Sequence, residues 1–143
     1  MPIRRQHRWL YPIDWQQLTD MIRFERAKGR CEQCCRPHGK HVYHLGDGRW
    51  WDEDEERWRD GQGRRLRLKA VPVDDDSMFR STRVILATAH LDHDPTNNDV
   101  RNLKAFCQRC HMIHDREEHL RRRRIGFLLT RAIGDLFTGR YPS

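Results

Sequence analysis

Apolar positions near the N-terminus repeat at a helical spacing. Asp14 precedes them as an N-cap residue, and Gln17 completes a capping-box pattern three positions later. Gly29 follows the last helical position. The pattern predicts a helix from about residue 15 to residue 28 that covers the core. The apolar stripe of this helix consists of Trp15, Leu18, Met21 and Ile22.

Residues 39–80 have a pattern that is typical of β-structure. Two turn sequences, Gly46-Asp47-Gly48 and Gly61-Gln62-Gly63, separate short apolar runs. Apolar and basic side chains alternate over residues 66–70, as in a half-buried strand. The acidic run at residues 52–56 is typical of a solvated loop. We therefore expect an inserted β-hairpin region here.

The following segment predicts a strand, a loop, a second strand and a helix. Residues 83–89 are rich in β-branched side chains and lead directly into His90. Residues 94–99 form a turn-rich loop, and residues 103–106 can form the second short strand. A helix is expected to begin near His111.

The C-terminal region carries basic and then apolar side chains. The helix that begins near His111 is expected to run to the arginine sequence Arg121–Arg124. Apolar residues between Ile125 and Phe137 predict a further amphipathic helix, which either closes the core or mediates a dimer.

The composition indicates one small domain that needs a covalent or metal staple. The chain has 143 residues, and only 36% of them are apolar. Four of its five cysteines form two C-x-x-C pairs, a spacing typical of zinc knuckles. Four thiolates from the two pairs would bind one Zn²⁺ tetrahedrally, with no open position, as a structural site. The predicted ligands are Cys31, Cys34, Cys107 and Cys110.

Cys35 is the odd cysteine in this scheme. It is either a small buried residue or a replacement for Cys34 as a zinc ligand. No apolar run is long enough to span a bilayer, and the N-terminal residues lack the apolar run of a secretory signal. We therefore expect a reducing, cytoplasmic environment, in which zinc is favoured over disulfides.

The formal net charge of +7 indicates a polyanionic partner. Nucleic acid is a better candidate than a membrane surface, although the charge alone does not distinguish DNA from RNA. The alternative interpretation is that the positive charge only keeps the protein soluble.

Residues 89–111 carry a motif that resembles a known enzyme family. His90 is followed by carboxylates, by the pair Asn102-Leu103 and by the sequence Cys107-Gln108-Arg109-Cys110-His111. This order resembles the HNH endonucleases, also called ββα-metal or His-Me finger nucleases. The resemblance covers roughly residues 30–118 and fades between residues 39 and 80.

The resemblance implies an α+β fold with a small ββα-metal core, stapled by the four-cysteine zinc knuckle and flanked by N- and C-terminal helices. It implies a single nuclease domain over residues 1–143. Its parts are an N-terminal arm and helix (1–30), the first zinc knuckle (31–38), an inserted β-rich segment (39–80), the ββα-metal core (81–124) and a C-terminal helix or tail (125–143).

The resemblance also implies roles for the motif residues. His90 would be the general base that activates water, and Asn102 would constrain the loop or contact the base or the metal. His111 would be a ligand of one catalytic divalent ion, which could be Mg²⁺, Mn²⁺, Ni²⁺ or Zn²⁺. Asp115 lies one helical turn beyond His111 and is expected as the second ligand, with His114 as the reserve.

The chain departs from the family at Ala89, where many members have a metal ligand. Asp92 or His93 can supply that ligand from the loop, or His111 and Asp115 hold the ion with extra waters. Alternatively, His93 is the base. A further alternative is a decayed site that binds DNA without cutting it.

DNA is the expected partner, contacted through the phosphate backbone by Arg121, Arg122, Arg123 and Arg124 with weak sequence preference. A second copy of the chain or an accessory protein is a further expected partner. No membrane partner is expected. The resemblance suggests a bacterial or phage protein. Rival functions are a non-catalytic zinc-knuckle DNA-binding module, an RNA-directed nuclease, and a toxin that needs an immunity partner.

Overall fold

The computed structural model describes residues 3–72 and 78–138, and it describes side chains as far as residue 133. The chain forms two compact units, residues 1–111 and residues 112–143. Both helices and strands contribute to the first unit, so the predicted α+β class is confirmed at that level. Residues 73–77 of the predicted insert lie outside the described residues.

The N-terminal helix occurs where the apolar stripe predicts it. Helix α1 spans Trp15–Asp20 and continues as a π-helical segment, Met21–Arg26. Asp14 occupies the N-cap position but makes no side-chain capping hydrogen bond. Ile22 is fully buried, which agrees with the predicted core-facing stripe. A separate 3₁₀ helix, Arg5–Leu10, precedes α1.

The inserted region is larger than the predicted hairpin, because it contributes to a four-stranded antiparallel sheet. The spatial order of the strands is β3-β2-β1-β4. The strands are β1 (His41–His44), β2 (Trp50–Asp52), β3 (Arg57–Arg59) and β4 (Arg80–Arg83).

The prediction of a strand over residues 66–70 is wrong. This segment makes isolated bonds to β3 and does not form a ladder. The N–H of Leu66 donates to the Trp58 carbonyl at 2.8 Å, and Trp58 Nε1 donates to the Ala70 carbonyl at 2.5 Å. The segment therefore covers the Trp58 ring, which is fully buried.

The acidic run at residues 52–56 was predicted to be a solvated loop, and this holds for only part of it. Asp52 lies on β2 and is 1% exposed, so the prediction is wrong for this residue. Its Oδ2 accepts a hydrogen bond from Arg59 Nε at 2.7 Å. A buried carboxylate requires such a partner, because its desolvation would otherwise be costly. Residues 53–56 form the turn between β2 and β3.

The predicted strand over residues 83–89 is divided between two sheets. Strand β4 ends at Arg83, and β5 begins at Leu86 and ends at His90. Val84 lies between them, is buried, and exchanges backbone hydrogen bonds with Gly39 and Lys40. The chain thus passes from the four-stranded sheet to a second sheet at this point.

The second sheet is a two-stranded antiparallel pair that leads into a helix. Strand β5 pairs with β6 (Leu103–Cys107) in a register that places His90 opposite Leu103. Helix α2 (Gln108–Thr138) follows β6 directly. The predicted order of strand, loop, strand and helix is therefore confirmed, although the helix begins at Gln108 and not near His111.

The prediction of a separate C-terminal helix from Ile125 is wrong, because α2 continues through it. Gly126 lowers helix propensity by only about 1 kcal/mol relative to alanine, and no proline interrupts the segment. Residues 112–138 of this helix belong to the second unit. Among the residues that the structure describes, no helix is both long and apolar enough to cross a membrane.

The core of the first unit is small and includes the knuckle cysteines. Its members come from the π-helical segment, both sheets and the start of α2. They are Ile22, Cys31, Cys34, Val42, Trp50, Val84, Leu86, Ala89, Leu103, Ala105, Phe106, Cys107 and Cys110.

Candidate functional site

The two C-x-x-C pairs converge in the buried core. The Sγ atoms of Cys31, Cys34, Cys107 and Cys110 all lie within 4.8 Å of one another. The Sγ atoms of Cys34 and Cys107 are 3.6 Å apart. A zinc ion with bonds of about 2.3 Å to four sulphurs requires sulphur–sulphur distances of about 3.8 Å. The predicted cluster therefore has the dimensions of a site that could hold a structural metal ion such as zinc.

Backbone hydrogen bonds hold the two knuckles together. The N–H of Cys107 donates to the Cys31 Sγ at 3.3 Å, and the N–H of Cys35 donates to the Cys31 carbonyl at 2.9 Å. The N–H of Glu32 donates to the Ala105 carbonyl at 2.9 Å, and Glu32 Oε2 accepts from the Ala105 N–H at 2.7 Å. The first knuckle is thus attached to β6, which leads into the second.

The thiols influence one another's ionisation. Hydrogen bonding with Cys107 is the largest influence on both members of the first pair, lowering the pKa of Cys31 and raising that of Cys34. Hydrogen bonding with Cys110 lowers the pKa of Cys107 to about 7. One thiolate therefore forms at the expense of its neighbours. A divalent cation removes this competition, because it stabilises all four thiolates together.

The four-stranded sheet supports the first knuckle, and the sequence pattern did not predict this. Trp50 Nε1 donates to the Cys34 carbonyl at 3.0 Å, and Arg30 Nη1 donates to the Cys35 carbonyl at 3.0 Å. Arg30 Nη2 also pairs with Asp54 of the acidic turn at 2.6 Å. Cys35 lies outside the group of four sulphurs and packs closely on Gly63, where an added Cβ would lie 2.8 Å from its Sγ.

His90 lies at the end of β5, and aromatic side chains from the N-terminal region contact its ring. The Trp15 ring stacks on the imidazole with a centroid distance of 5.3 Å and an interplanar angle of 7°. The Tyr11 ring approaches edge-on at 5.8 Å. His90 Nε2 is 2.9 Å from Asn98 Oδ1. The helix assigned only a covering role in the sequence therefore contributes directly to the environment of His90.

The hydrogen bonds of Asn98 fix the orientation of its amide. Asn98 Nδ2 donates to the carbonyls of Pro95 and Thr96, each at 3.3 Å. The amide oxygen is therefore the atom that faces His90, and His90 Nε2 must donate the proton. In a neutral imidazole this places the lone pair on Nδ1.

Asn102 and Asp92 together brace the loop between β5 and β6. Asn102 Nδ2 donates to Asp92 Oδ1 at 2.9 Å and to the Asn97 carbonyl at 2.8 Å. Asn102 Oδ1 accepts from the Asp92 N–H at 3.2 Å. Hydrogen bonds from Asn97, from the Asp94 N–H and from Asn102 lower the pKa of Asp92 to about 2. The structure thus brings together His90, Asp92 and Asn102 at one end of the β5–β6 pair.

The remaining predicted site residues lie on α2. His111 is the fourth residue of this helix and belongs to the first unit. Asp115, on the same helix, belongs to the second unit, as do the four arginines. Arg121 and Arg122 both pair with Glu118, at 3.0 and 2.8 Å. These bonds lower the pKa of Glu118 to about 2.

Sequence reasoning found the four cysteines, but it missed Asn98, Trp15 and Tyr11. Asn98 is one of several polar residues in a turn-rich loop. Trp15 follows the core-stripe pattern, so its spacing gave no sign of a contact with His90. Comparisons with protein-family models, with curated proteins and with solved structures found no match.

Proposed function

We propose that this protein is a metal-dependent endonuclease that hydrolyses phosphodiester bonds of DNA. The proposal is carried by one observation, the setting of His90. Its imidazole lies at a strand end, is stacked on Trp15, and has its Nε2 2.9 Å from Asn98 Oδ1. The HNH-like order of residues 90–111 and the +7 net charge support the same activity.

His90 is assigned as the general base. Phosphodiester hydrolysis requires a group that removes a proton from the attacking water. With the Nε2 proton donated to Asn98, the Nδ1 lone pair is the acceptor for that proton. Stacking on Trp15 limits rotation of the ring, which keeps Nδ1 in one direction. Asn98 and Trp15 position the base, and Asn102 keeps the loop around it closed.

His111, on α2, is proposed as a ligand of a catalytic divalent ion. When bound, this ion would stabilise the negative charge that develops on the phosphate. Asp92, also a predicted ligand, already accepts three hydrogen bonds within the loop. We therefore assign its main role to loop bracing.

The four cysteines would hold a structural zinc ion. All four sulphurs are used by such a site, so it has no position for water or substrate. Its role is to join the β5–β6 pair to the chain that enters the four-stranded sheet. Loss of the ion would therefore displace His90 only indirectly, through loss of the fold.

Plasmid cleavage tests the proposal. The wild-type protein is incubated with supercoiled plasmid and Mg²⁺, Mn²⁺ or Ni²⁺, beside His90→Ala and His93→Ala. General-base catalysis contributes about 10²–10⁴-fold, so His90→Ala is expected to lose cleavage to that extent. Loss of cleavage in His93→Ala together with normal cleavage by His90→Ala would instead make His93 the base. Normal cutting by His90→Ala would refute the assignment of the base.

A second function, a DNA-binding module without nuclease activity, is favoured by one specific observation. Ala89 occupies the position before His90, and its methyl side chain is buried and cannot bind a metal. Under this function the wild-type protein binds duplex DNA but leaves the plasmid intact with every metal. Under the nuclease function the plasmid is nicked or linearised.

A further inference from the structure

Three arginines from different elements meet at the turn between β1 and β2. Arg36 lies in the first knuckle, Arg80 begins β4, and Arg109 lies inside the second knuckle. We call Arg36, Arg80 and Arg109 the arginine cluster. The turn they surround is Gly46-Asp47-Gly48.

The guanidinium group of Arg109 lies between two glycines. A Cβ added at Gly48 would be 2.5 Å from Arg109 Nη2, and one added at Gly61 would be 3.0 Å from Arg109 Nη1. Gly48 also has a φ of +106°, which disfavours any other residue. The absence of side chains at both positions leaves space for this cation against the turn.

Arg36 brings a second cation to the same glycine. Its Nη2 donates to the Gly48 carbonyl at 3.3 Å. Arg36 is 6% exposed, and its Nε has no hydrogen-bond partner among the described residues. Buried donors are normally satisfied, and an unsatisfied one often indicates an ion or water at the site.

Arg80 approaches the other end of the turn, where its Nη1 would lie 3.8 Å from a Cβ added at Gly46. Both charges also act on His44. Burial lowers the pKa of His44, and the positive charges of Arg36 and Arg80 lower it further. Asp47 does not balance these charges, because its carboxylate pairs with Arg49 at 2.6 Å.

The arginine cluster therefore concentrates positive charge without a matching anion. Among the side chains of residues 3–72 and 78–133, none of its three members forms an ion pair with a carboxylate. Placing cations together in a partly buried position is unfavourable unless an anion joins them. Arginine donors match the oxygens of phosphate in geometry as well as in charge.

We propose that the arginine cluster at the Gly46–Gly48 turn binds a phosphate group. The phosphate belongs either to a nucleic-acid backbone or to free phosphate, and the chemistry of recognition is the same. The assignment of this phosphate to a nucleic-acid backbone rests on the proposed nuclease function. The proposal that the cluster binds phosphate does not depend on that function.

A competing explanation is that Arg36 and Arg109 only balance the charge of the metal centre. Zinc with four thiolates carries a net charge of −2, and both arginines come from the knuckles. Arg80 distinguishes the two explanations, because it is exposed on β4 and lies outside both knuckles.

The test compares Arg80→Gln with Arg83→Gln in the full-length, zinc-loaded protein. Both residues lie on β4 and carry the same charge, but their odd separation places them on opposite faces of the sheet. Arg109→Gln is the third variant, and its zinc content is measured alongside. Binding of a short DNA duplex without added Mg²⁺ is followed by fluorescence anisotropy over a range of salt concentrations.

We expect Arg80→Gln and Arg109→Gln each to reduce the slope of log affinity against log salt concentration by about one relative to wild type. Arg83→Gln is expected to leave the slope unchanged. In a second arm, titration with inorganic phosphate is expected to give a saturable rise in the melting temperature that Arg80→Gln loses and Arg83→Gln retains.

The two arms separate the sources of the phosphate. Losses in both arms support a backbone contact, and a loss with inorganic phosphate alone supports a free-phosphate site. Equal behaviour of Arg80→Gln and Arg83→Gln in both arms overturns the proposal. The proposal is also overturned if Arg109→Gln loses zinc but binds phosphate and DNA as wild type does. That result would show that the arginine only balances the charge of the metal centre. Neither arm measures cleavage, so failure of the nuclease proposal would be seen separately.

Discussion

Asn98 determines which nitrogen of His90 carries the proton. Replacement by alanine removes the acceptor for the Nε2 proton and allows both tautomers. We expect Asn98→Ala to lower the rate of plasmid cleavage by about 10–100-fold, the usual range for the loss of a residue that orients a catalytic group. Single-turnover cleavage gives the rate, and anisotropy with duplex DNA gives the affinity.

Binding of DNA is expected to be unchanged in Asn98→Ala, because the residue lies within the loop and contacts His90. An unaltered cleavage rate would show that Asn98 does not position the base. A parallel loss of affinity would instead indicate that the loop itself has rearranged.

Two other histidines make the stability of the fold depend on pH. Burial lowers the pKa of His38 and of His44, and nearby arginines lower both further. His38 Nδ1 accepts the Leu86 N–H at 3.0 Å, which requires the neutral ring. The unfolded state therefore takes up protons first as pH falls through about 6.5, and stability decreases below that pH.

We expect the free energy of unfolding to fall between about pH 7.5 and pH 5.5 in urea titrations of the zinc-loaded protein. Thiolate protonation also weakens zinc binding in this direction. The matched comparison is therefore His44→Gln, whose pH dependence is expected to be shallower than that of wild type. An identical pH dependence would exclude His44 as a contributor.

For individual residues, the sequence predicted the candidate site positions that belong to a motif of fixed spacing. The C-x-x-C pairs identify all four cluster cysteines, whereas the roles of His90 and Asn102 come from the motif and are proposals. Trp15 could not be found in this way, because its contact with His90 crosses 75 positions and depends on how α1 packs. Asn98 could not be separated from the neighbouring polar residues of its loop.

At the scale of elements, the cysteine cluster joins two segments that lie far apart in the sequence. Cys107→Ser leaves three sulphurs in the cluster, and a chelator would remove the proposed zinc ion. We expect either change to unfold the first unit, because structural zinc sites of this kind contribute about 10–16 kcal/mol of apparent binding energy. Circular dichroism and melting curves with and without a chelator measure the effect. Unchanged curves would show that no metal stabilises this fold.

The carboxylate of Asp52 connects β2 to β3 and to the first knuckle. It pairs with Arg59 at 2.7 Å and with Arg30 at 3.4 Å. Asp52→Ala leaves Arg59 without its buried partner, and breaking such a pair commonly costs about 3–5 kcal/mol. We expect a large decrease in unfolding free energy for Asp52→Ala. Glu53→Ala, in the adjacent exposed turn, is the control and should change it by less than about 0.5 kcal/mol.

Strands and helices were predictable from the sequence where the residue pattern within a single segment favoured one type of element. β-branched residues predicted β5, and the motif predicted that β6 would be followed by a helix. The division of residues 83–89 between two sheets was not predictable, because Val84 is apolar and fits either sheet. Alternation over residues 66–70 failed for a related reason: a strand needs a partner, and this segment instead covers Trp58.

At the scale of the whole molecule, the first unit contains the predicted zinc ligands, both sheets and His90. A chain that ends after residue 119 is therefore expected to keep one zinc ion per molecule and the melting behaviour of the first unit. It lacks Arg121–Arg124, so its affinity for duplex DNA should decrease and its salt dependence should become weaker. Loss of zinc from this shortened chain would show that α2 beyond residue 119 is needed for the fold.

The division of the candidate metal ligands between residues 31–34 and residues 107–110 has a consequence for synthesis of the protein. During translation the first two thiols emerge long before their partners, so a nascent chain can offer an ion only half of its ligands. The four-stranded sheet is translated in this interval, and its Trp50 can hold the first knuckle in shape before the ion is enclosed. Early ribosome-bound chains should thus expose oxidisable thiols that the finished protein protects.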